Sequence, residues 1–272
     1  MCEFCIKHGE GKKWYENMKN YSDHLLHLDG REDYIVHFLE NFEANHVRPF
    51  TQFDRIKTRS HIAHRFIEQI VHRTMKKNHF GQVVPLEDAL KIVDMVDSVC
   101  SLPCVCRSNT LGRKEYRYCM AVGVDFTQKL GAYPDYASGL DVLTTERATD
   151  LLKKLDRLGA VHTVWTFKTP FIGAICNCDR DCLAYRLQVT GKHVKVYFKA
   201  EYVAVIDWDA CNGCRKCMRY CQFGALSYSL SLNRCYVDQQ KCYGCGLCRV
   251  PCPQNAVELR DRHSFPGLNK VW

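Results

Sequence analysis

The chain has 272 residues, of which 46% are hydrophobic and 11% are aromatic, so it carries enough apolar material for a sizeable folded core. Its formal net charge is +8, and its 18 cysteines far exceed average usage. The N-terminus shows no apolar leader segment and no run approaches the length of a spanning helix, which indicates a cytoplasmic protein without membrane insertion. In that reducing compartment, closely spaced cysteines are typical of metal sites rather than disulfides.

The first third of the chain is predicted to be helical. Residues 32–42 and 61–77 carry apolar side chains three and four positions apart, which is the period of an amphipathic helix. Pro49, Gly81 and Pro85 mark breaks between segments. We therefore expect helices joined by short turns before the cysteine-rich middle of the chain.

The middle third contains a degenerate repeat, in which an amphipathic helix is followed by a short cysteine loop. The first copy spans 85–107 and the second spans 144–182. In the second copy, Gly159 is the predicted end of the helix and residues 160–167 form a short strand. Both loops carry the pattern CxC, which makes them candidate ligand loops.

The last third carries the most specific signal, because the pattern CxxCxxCxxxC occurs twice. The tight CxxCxxC loop surrounds one iron-sulfur cluster with three thiolates, while the fourth cysteine reaches the other cluster. One cluster is therefore expected on Cys211, Cys214, Cys217 and Cys252, and the other on Cys242, Cys245, Cys248 and Cys221. Cys235, between the motifs, is interpreted as a small buried residue. This segment resembles the bacterial two-cluster [4Fe-4S] ferredoxins.

Nine further cysteines lie upstream, in patterns that also favour metal ligation. They are Cys2, Cys5, Cys100, Cys104, Cys106, Cys119, Cys176, Cys178 and Cys182. CxxC and CxC close to Pro, Gly or Asn are typical of metal-binding loops. We expect Cys104, Cys106, Cys119 and Cys182 to hold one [4Fe-4S] cluster, and Cys2, Cys5, Cys176 and Cys178 to hold another, with Cys100 free. A single upstream cluster and a mononuclear zinc bound by four thiolates are the alternatives.

The whole chain resembles the multi-cluster 4Fe-4S dicluster-domain proteins of anaerobes. The segments that carry this resemblance are MCEFCIKHGEGKKWYEN, NHFGQVVPLEDA, LPCVCR and ICNCDRDC. The resemblance implies electron transfer in anaerobic metabolism, usually as the partner of a larger redox complex. It names no substrate.

The basic charge fits this interpretation better than nucleic-acid binding. A [4Fe-4S] core held by four thiolates carries a charge of about −2, so four clusters contribute about −8 and offset the excess of the chain. Many of the basic residues stand beside cysteines, as Arg107, Arg215 and Arg249 do. We therefore expect two C-terminal clusters, four clusters in total, and no nucleic-acid partner.

An electron carrier is favoured over an enzyme. The chain has no GxGxxG, no GxxxxGK[ST] and no CxxxCxxC, so it lacks the dinucleotide, nucleotide and radical-SAM motifs. We expect a non-catalytic electron-transfer subunit or partner of an oxidoreductase complex. The alternative is an iron-sulfur enzyme in which an open upstream cluster binds substrate. A DNA-binding redox sensor is weaker, because the helix at 144–159 is balanced in charge rather than basic.

The expected fold class is α+β. Residues 1–200 are predicted to form a mostly helical, cysteine-rich region with a short β element. A two-cluster ferredoxin domain follows at 201–261, and 262–272 form a C-terminal tail.

Overall fold

The computed structural model describes residues 13–49, 61–125, 139–192 and 194–268, together with Gln52 and Ile56. Cys2, Cys5 and residues 269–272 of the tail lie outside the described residues.

The described chain begins with helices and continues with a mixture of helices and strands. The α-helices are α1 (Asp23–His27), α2 (Arg31–Glu40), α3 (His61–Asn78), α4 (Leu86–Met95), α5 (Val105–Leu111), α6 (Thr145–Arg157), α7 (Leu183–Tyr185) and α8 (Lys216–Tyr220). The strands are β1 (Gly81–Val83), β2 (Val99–Leu102), β3 (Cys119–Val122), β4 (Asp141–Val142), β5 (Val161–Thr166), β6 (Ile172–Cys178), β7 (Tyr197–Phe198), β8 (Tyr202–Ile206), β9 (Leu226–Ser229), β10 (Arg234–Val237) and β11 (Val257–Asp261). Single 3-10 or π turns connect several of them, among them Glu43–Val47, Arg186–Thr190, Leu247–Arg249 and Arg262–Ser264.

The centre of the first two hundred residues is a seven-stranded sheet in the order β4-β2-β3-β6-β5-β1-β7. Its neighbours are antiparallel except β1 and β7, which pair in parallel. This sheet corrects the expectation of a mostly helical region with one short β element. Most of its strands are short and buried on both faces, so their residues do not alternate between apolar and polar, and periodicity does not reveal them.

Several predicted helices coincide with observed ones. The periodic segments at 32–42 and 61–77 correspond to α2 and α3. The two repeat helices correspond to α4 and α6, and the segment predicted as a strand after Gly159 contains β5. Thr144 caps α6 by accepting a hydrogen bond from Arg147 N, and Gly159 follows the helix with φ +84°.

The two faces of the sheet have different coverings. The helices α4 and α6 pack against one another and, with Trp14 and Tyr15, cover the face that carries Met120, Val164 and Ile175. Trp14 and Tyr15 are almost completely buried. The opposite face carries the upstream cysteines beneath the aromatic side chains of α2. The sheet therefore places all of its thiols on one side.

The C-terminal module consists of two antiparallel ribbons, β8 with β11 and β9 with β10, joined by the cysteine loops. The helices and strands of the described chain confirm the predicted α+β class. Arg249 forms an ion pair with Glu87 of α4 at 2.6 Å, and Arg262 donates to the carbonyl oxygens of Ala200, Tyr202 and Cys242. Arg262 is 1% exposed, so the start of the predicted tail is part of the folded core.

Among the described residues, no helix has the length and apolar character needed to cross a membrane.

Candidate metal centres

Cysteines from both copies of the C-terminal motif surround one small cavity. Its thiols are those of Cys211, Cys214, Cys217, Cys235 and Cys252. Burial raises the pKa of the Cys217 thiol to about 12, and Cys235 hydrogen-bonds to that thiol. A thiol of this kind stays protonated at neutral pH unless a bound cation replaces its proton. The ligands predicted for the first cluster therefore lie around one cavity, with Cys235 beside them and 1% exposed.

A second group of thiols lies deeper in the same module. Burial raises the pKa of Cys242, Cys245 and Cys248, and the charge of Cys221 raises each of them further. The value for Cys245 is about 12. The structure thus brings the predicted ligands of the second cluster together, including the cysteine from the other copy of the motif.

Backbone amides point at the sulfurs of both groups. Ala204 N and Gly244 N each donate to Cys242 Sγ at 3.4 Å. Ala225 N donates to Cys221 Sγ at 3.2 Å, and Ala256 N donates to Cys252 Sγ at 3.4 Å. Donors of this type stabilise negative charge on sulfur and raise the reduction potential of a cluster. The donor set therefore fits a [4Fe-4S] cluster at each position.

The upstream thiols converge on one face of the seven-stranded sheet. Side chains two residues apart on a strand share a face, so β6 presents Cys176 and Cys178 together. Cys119 on β3 lies directly opposite Cys176, and their Sγ atoms are 3.7 Å apart. Cys104 stands at the start of α5 and Cys182 at the start of α7.

Contacts between thiols divide these five cysteines and Cys106 of α5 into two sets of three. Cys119 hydrogen-bonds with Cys104 and Cys176, and we call these three residues the Cys119 trio. Cys182 hydrogen-bonds with Cys106 and Cys178, and these three form the Cys182 trio. Each CxC segment therefore contributes one cysteine to each trio. The contacts join thiols that the sequence-based partition assigns to different clusters, and that partition stays a prediction.

Arg107 connects the two cysteine loops from the protein interior. Its guanidinium forms an ion pair with Asp179 at 2.7 Å and donates to Cys104 Sγ at 3.2 Å. The side chain is fully buried and lies over the ring of Tyr118. The pKa of Cys104 is lowered to about 7, first by the hydrogen bond from Cys119 and further by the charge of Arg107. A fixed positive charge therefore stabilises thiolate at this position.

Arg107→Gln is expected to lower the free energy of unfolding by about 1–3 kcal/mol, because Cys104 and Asp179 lose a buried donor. Anaerobic guanidinium denaturation followed by circular dichroism measures the change. Arg113→Gln is the matched control, because its ion pair with Asp181 is about half exposed and should contribute less than about 1 kcal/mol. Equal losses in both variants would contradict the role given to Arg107.

A cavity of about 150 Å³ separates the thiols from the helical layer. Cys106, Cys119, Cys176, Cys178 and Cys182 line one side of it, and Phe38, Phe42, Trp165, Phe167, His46 and His79 line the other. Burial lowers the pKa of His46 to about 4 and that of His79 to about 3, so both imidazoles are neutral at pH 7. The wall facing the thiols is therefore apolar and uncharged.

Acidification is expected to destabilise the fold through His79. The unfolded chain binds a proton near pH 6.5, whereas the folded state resists protonation down to about pH 3. The contribution of neutral His79 to the free energy of unfolding is thus fully present above pH 6.5. It decreases by up to about 1.4 kcal/mol per pH unit as the pH falls below 6.5. His79→Asn should reduce the loss between pH 7 and pH 5, measured by anaerobic guanidinium denaturation. His24→Asn, at an exposed histidine, is the control, and equal pH dependence in both variants would contradict the assignment.

Aromatic and apolar side chains connect the two cysteine-rich regions. Cys178 and Cys182 pack in one hydrophobic cluster with Leu247, Tyr243 and Cys245 of the C-terminal module. The rings of Phe223 and Tyr243 stack with centroids 3.9 Å apart, and Tyr185 donates to Gln222 O at 2.7 Å. The upstream thiols and the second C-terminal thiol group therefore share a continuous core.

The sequence did not identify the polar residues that surround the upstream thiols. Arg107 comes directly after Cys106 in the CVCR segment, and this adjacency could have marked it as a residue near the thiols. No sequence pattern marks Asp179, His79 or Tyr197 in this way. Within the described ranges, no three His, Cys, Asp or Glu side chains meet at the distances needed for a single metal ion.

Comparisons with known proteins agree on the C-terminal module. The family model for the 4Fe-4S binding domain matches residues 204–227. An archaeal-type glutamate synthase [NADPH] from Thermotoga maritima is 38% identical over 60 residues, which cover 22% of this chain and 12% of that protein. One subunit of an ion-translocating oxidoreductase complex from Methanosarcina acetivorans is 40% identical over 62 residues, or 23% of each chain.

An uncharacterized ferredoxin from Methanocaldococcus jannaschii is matched over most of its own length. It is 31% identical over 58 residues, which are 21% of this chain and 75% of that ferredoxin. The longer relatives are matched over only a small part of their length. The motif, the thiol groups with their amide donors and these matches confirm the predicted resemblance: through its C-terminal module, the chain belongs to the [4Fe-4S] ferredoxins.

Proposed function

We propose that this protein relays single electrons through four [4Fe-4S] clusters as a subunit or partner of a larger redox complex. Iron-sulfur binding and an electron-transfer role follow from the ferredoxin module. The observation that carries the longer relay is the continuous core between the upstream thiols and that module. Redox centres separated by a few packed side chains form a path for electrons, whereas an isolated structural site would not need this contact.

Two clusters are assigned to the C-terminal module in a crossed arrangement. Cys211, Cys214, Cys217 and Cys252 hold one, and Cys242, Cys245, Cys248 and Cys221 hold the other. The common cavity of the first set and the mutual effects on thiol pKa in the second set support these assignments. When bound, each cluster supplies a one-electron couple. The chain contributes thiolate ligands, amide donors to sulfur and exclusion of water, which together set the potential.

Two further clusters are assigned to the upstream cysteines. The described thiols available to them are Cys104, Cys106, Cys119, Cys176, Cys178 and Cys182, and the N-terminal Cys2 and Cys5 complete the set of eight. The single face shared by the six thiols and the buried charge of Arg107 support this assignment. The basic excess of +8 also offsets the charge of four clusters.

A redox protein is the proposed partner. The matched protein from Methanosarcina acetivorans is named as part of an ion-translocating oxidoreductase complex, and the matched synthase is named for NADPH. Both proteins share the ferredoxin segment with this chain. These names support a redox protein or a larger oxidoreductase complex as the source and destination of its electrons.

A catalytic role is the second candidate, and the cavity beside the upstream thiols favours it. An iron without a thiolate ligand at this cavity would be open to a small substrate, with apolar walls and neutral His46 and His79 around it. The relay is preferred because the described cavity offers few charged groups to orient a substrate.

Counting electrons separates these possibilities. Anaerobic reductive titration of the full chain with dithionite, followed by visible absorbance and EPR, should consume about four electrons per chain if four clusters are present. Consumption of about two electrons would restrict the relay to the ferredoxin module. Additional turnover of reductant on adding a small-molecule acceptor, without a partner protein, would favour the enzyme.

A further inference from the structure

A buried tyrosine hydroxyl stands beside the Cys182 trio. Tyr197 is 3% exposed, and its hydroxyl completes no regular hydrogen bond within the described part of the chain. Tyr197 packs in the same hydrophobic cluster as Cys178 and Cys182, with Cys106 at its edge, and its hydroxyl lies beside the Cys178 thiol. A buried hydroxyl without a partner costs about 1–3 kcal/mol, so it indicates a group that the polypeptide itself does not supply.

Hydrogen bonds with Gln188 and a contact with Trp165 hold Tyr197 in place. Gln188 Oε1 accepts hydrogen bonds from Val196 N at 2.7 Å and Tyr197 N at 2.6 Å. Gln188 Nε2 donates to Tyr197 O at 3.1 Å, so one amide side chain binds both backbone polar groups of Tyr197. The Tyr197 ring meets the indole of Trp165 edge-on, with centroids 5.7 Å apart. These contacts fix the backbone of Tyr197 and pack its ring against Trp165.

Glycine at position 81 makes this ring pair possible. Tyr197 on β7 pairs with Gly81 on β1, which in turn pairs with Trp165 on β5. A Cβ atom at Gly81 would lie 2.8 Å from the indole of Trp165. The two large rings therefore meet above a residue without a side chain.

The three thiols of the trio come from separate segments that other contacts hold in place. Cys178 ends β6, and its Sγ lies 3.9 Å from Thr163 Oγ1 on β5. Cys182 Sγ accepts a hydrogen bond from Asp179 N at 3.4 Å in the following turn. Cys106 belongs to α5, whose buried Arg107 is paired with Asp179. The polypeptide thus holds three thiols and one hydroxyl side by side before any cluster binds.

We infer that Cys106, Cys178 and Cys182 together bind one upstream [4Fe-4S] cluster, and that the Tyr197 hydroxyl donates a hydrogen bond to a sulfur atom of this cluster. The inference rests on the proposed function and replaces the sequence-based partition of these thiols. A tyrosine hydroxyl carries its proton at neutral pH, so it can act as a donor. Because a hydrogen bond stabilises the more negative, reduced cluster, it raises the reduction potential.

The position of this cluster gives it a definite place in the relay. Cys178 and Cys182 pack in the same apolar cluster as Leu247 and Cys245 of the C-terminal module. Cys106 and Cys176 pack at the edge of the same core, so the Cys182 trio adjoins the ferredoxin module. The hydrogen bond from Tyr197 thus raises the potential of an upstream cluster that adjoins the module.

An EPR-monitored redox titration of the full, anaerobically purified chain tests the inference. Tyr197→Phe should retain the iron content of the wild type and shift the midpoint of one upstream signal to a more negative potential. At a fixed ambient potential, the ratio of oxidised to reduced cluster should increase about fivefold, the effect of one hydrogen bond. Tyr185→Phe is the matched control, because this buried hydroxyl donates to Gln222 O instead, and all midpoints should stay unchanged.

A second variant identifies which cluster responds and does not depend on the folding of Tyr197→Phe. Cys182→Ala should remove the signal that Tyr197→Phe shifts, while the signals of the ferredoxin module persist. Full iron content without a shift in Tyr197→Phe, or survival of the shifted signal in Cys182→Ala, would overturn the inference. A wild-type chain with only about eight irons would instead overturn the upstream clusters of the proposed function.

Discussion

Gly244→Ala is expected to remove the cluster held by the Cys242 loop. Gly244 has φ +71°, a conformation that costs an alanine about 1–2 kcal/mol. A Cβ atom there would collide with the carbonyl oxygen of Tyr202 and lie 3.1 Å from the Cβ of Ala200. The loop must then move away from β8, and the hydrogen bonds that Gly244 N and Ala204 N donate to Cys242 Sγ are lost. Iron analysis and EPR should show about four irons fewer per chain.

Gly224→Ala is the matched control for this change. Gly224 lies in the same module with φ +65°, but no atom stands within 4 Å of the position its Cβ would occupy. This variant bears the conformational cost without a collision, so it should keep its iron and lose only about 1–2 kcal/mol of unfolding free energy. Equal iron content in the two variants would show that close packing of the loop is not needed to hold the cluster.

Cys119→Ala is expected to remove about four irons from the upstream region while the ferredoxin signals remain. Cys119 links Cys104 and Cys176 by thiol contacts, so its removal breaks the Cys119 trio at its centre. Anaerobic iron and sulfide analysis measures the loss, and EPR identifies which signals persist.

Cys100→Ala is the control on the neighbouring strand. Cys100 is 1% exposed and packs in the same hydrophobic cluster as Cys119, but its thiol hydrogen bond goes to Ser101 O. This variant removes a buried sulfur of the same size and should keep its full iron content. Loss of iron in both variants, or in neither, would contradict the ligand role proposed for Cys119.

The C-terminal module could be predicted because its chemistry is encoded locally. The three cysteines of each CxxCxxC loop lie within seven residues, so the loop can surround a cluster without contacts from distant parts of the chain. The two loops begin at Cys211 and Cys242. The helices α2, α3 and α6 were also predictable, since each carries a polar face and an apolar face over ten or more residues.

The sheet and its thiol face could not be predicted in the same way. Cys119 and Cys176 are 57 residues apart, and only the pairing of β3 with β6 brings them together. The sequence predicts a loop around Cys176 and Cys178, because CxC is common in metal-binding loops. On a strand, the same spacing places both thiols on one face, and this placement depends on long-range pairing that single-sequence patterns do not contain.

Iron, acid-labile sulfide and zinc per chain, measured on anaerobically purified protein, test the central claim most directly. The four-cluster relay predicts about sixteen irons and about sixteen sulfides without zinc. About eight of each, with or without one zinc, would confine electron transfer to the ferredoxin module and contradict the upstream clusters.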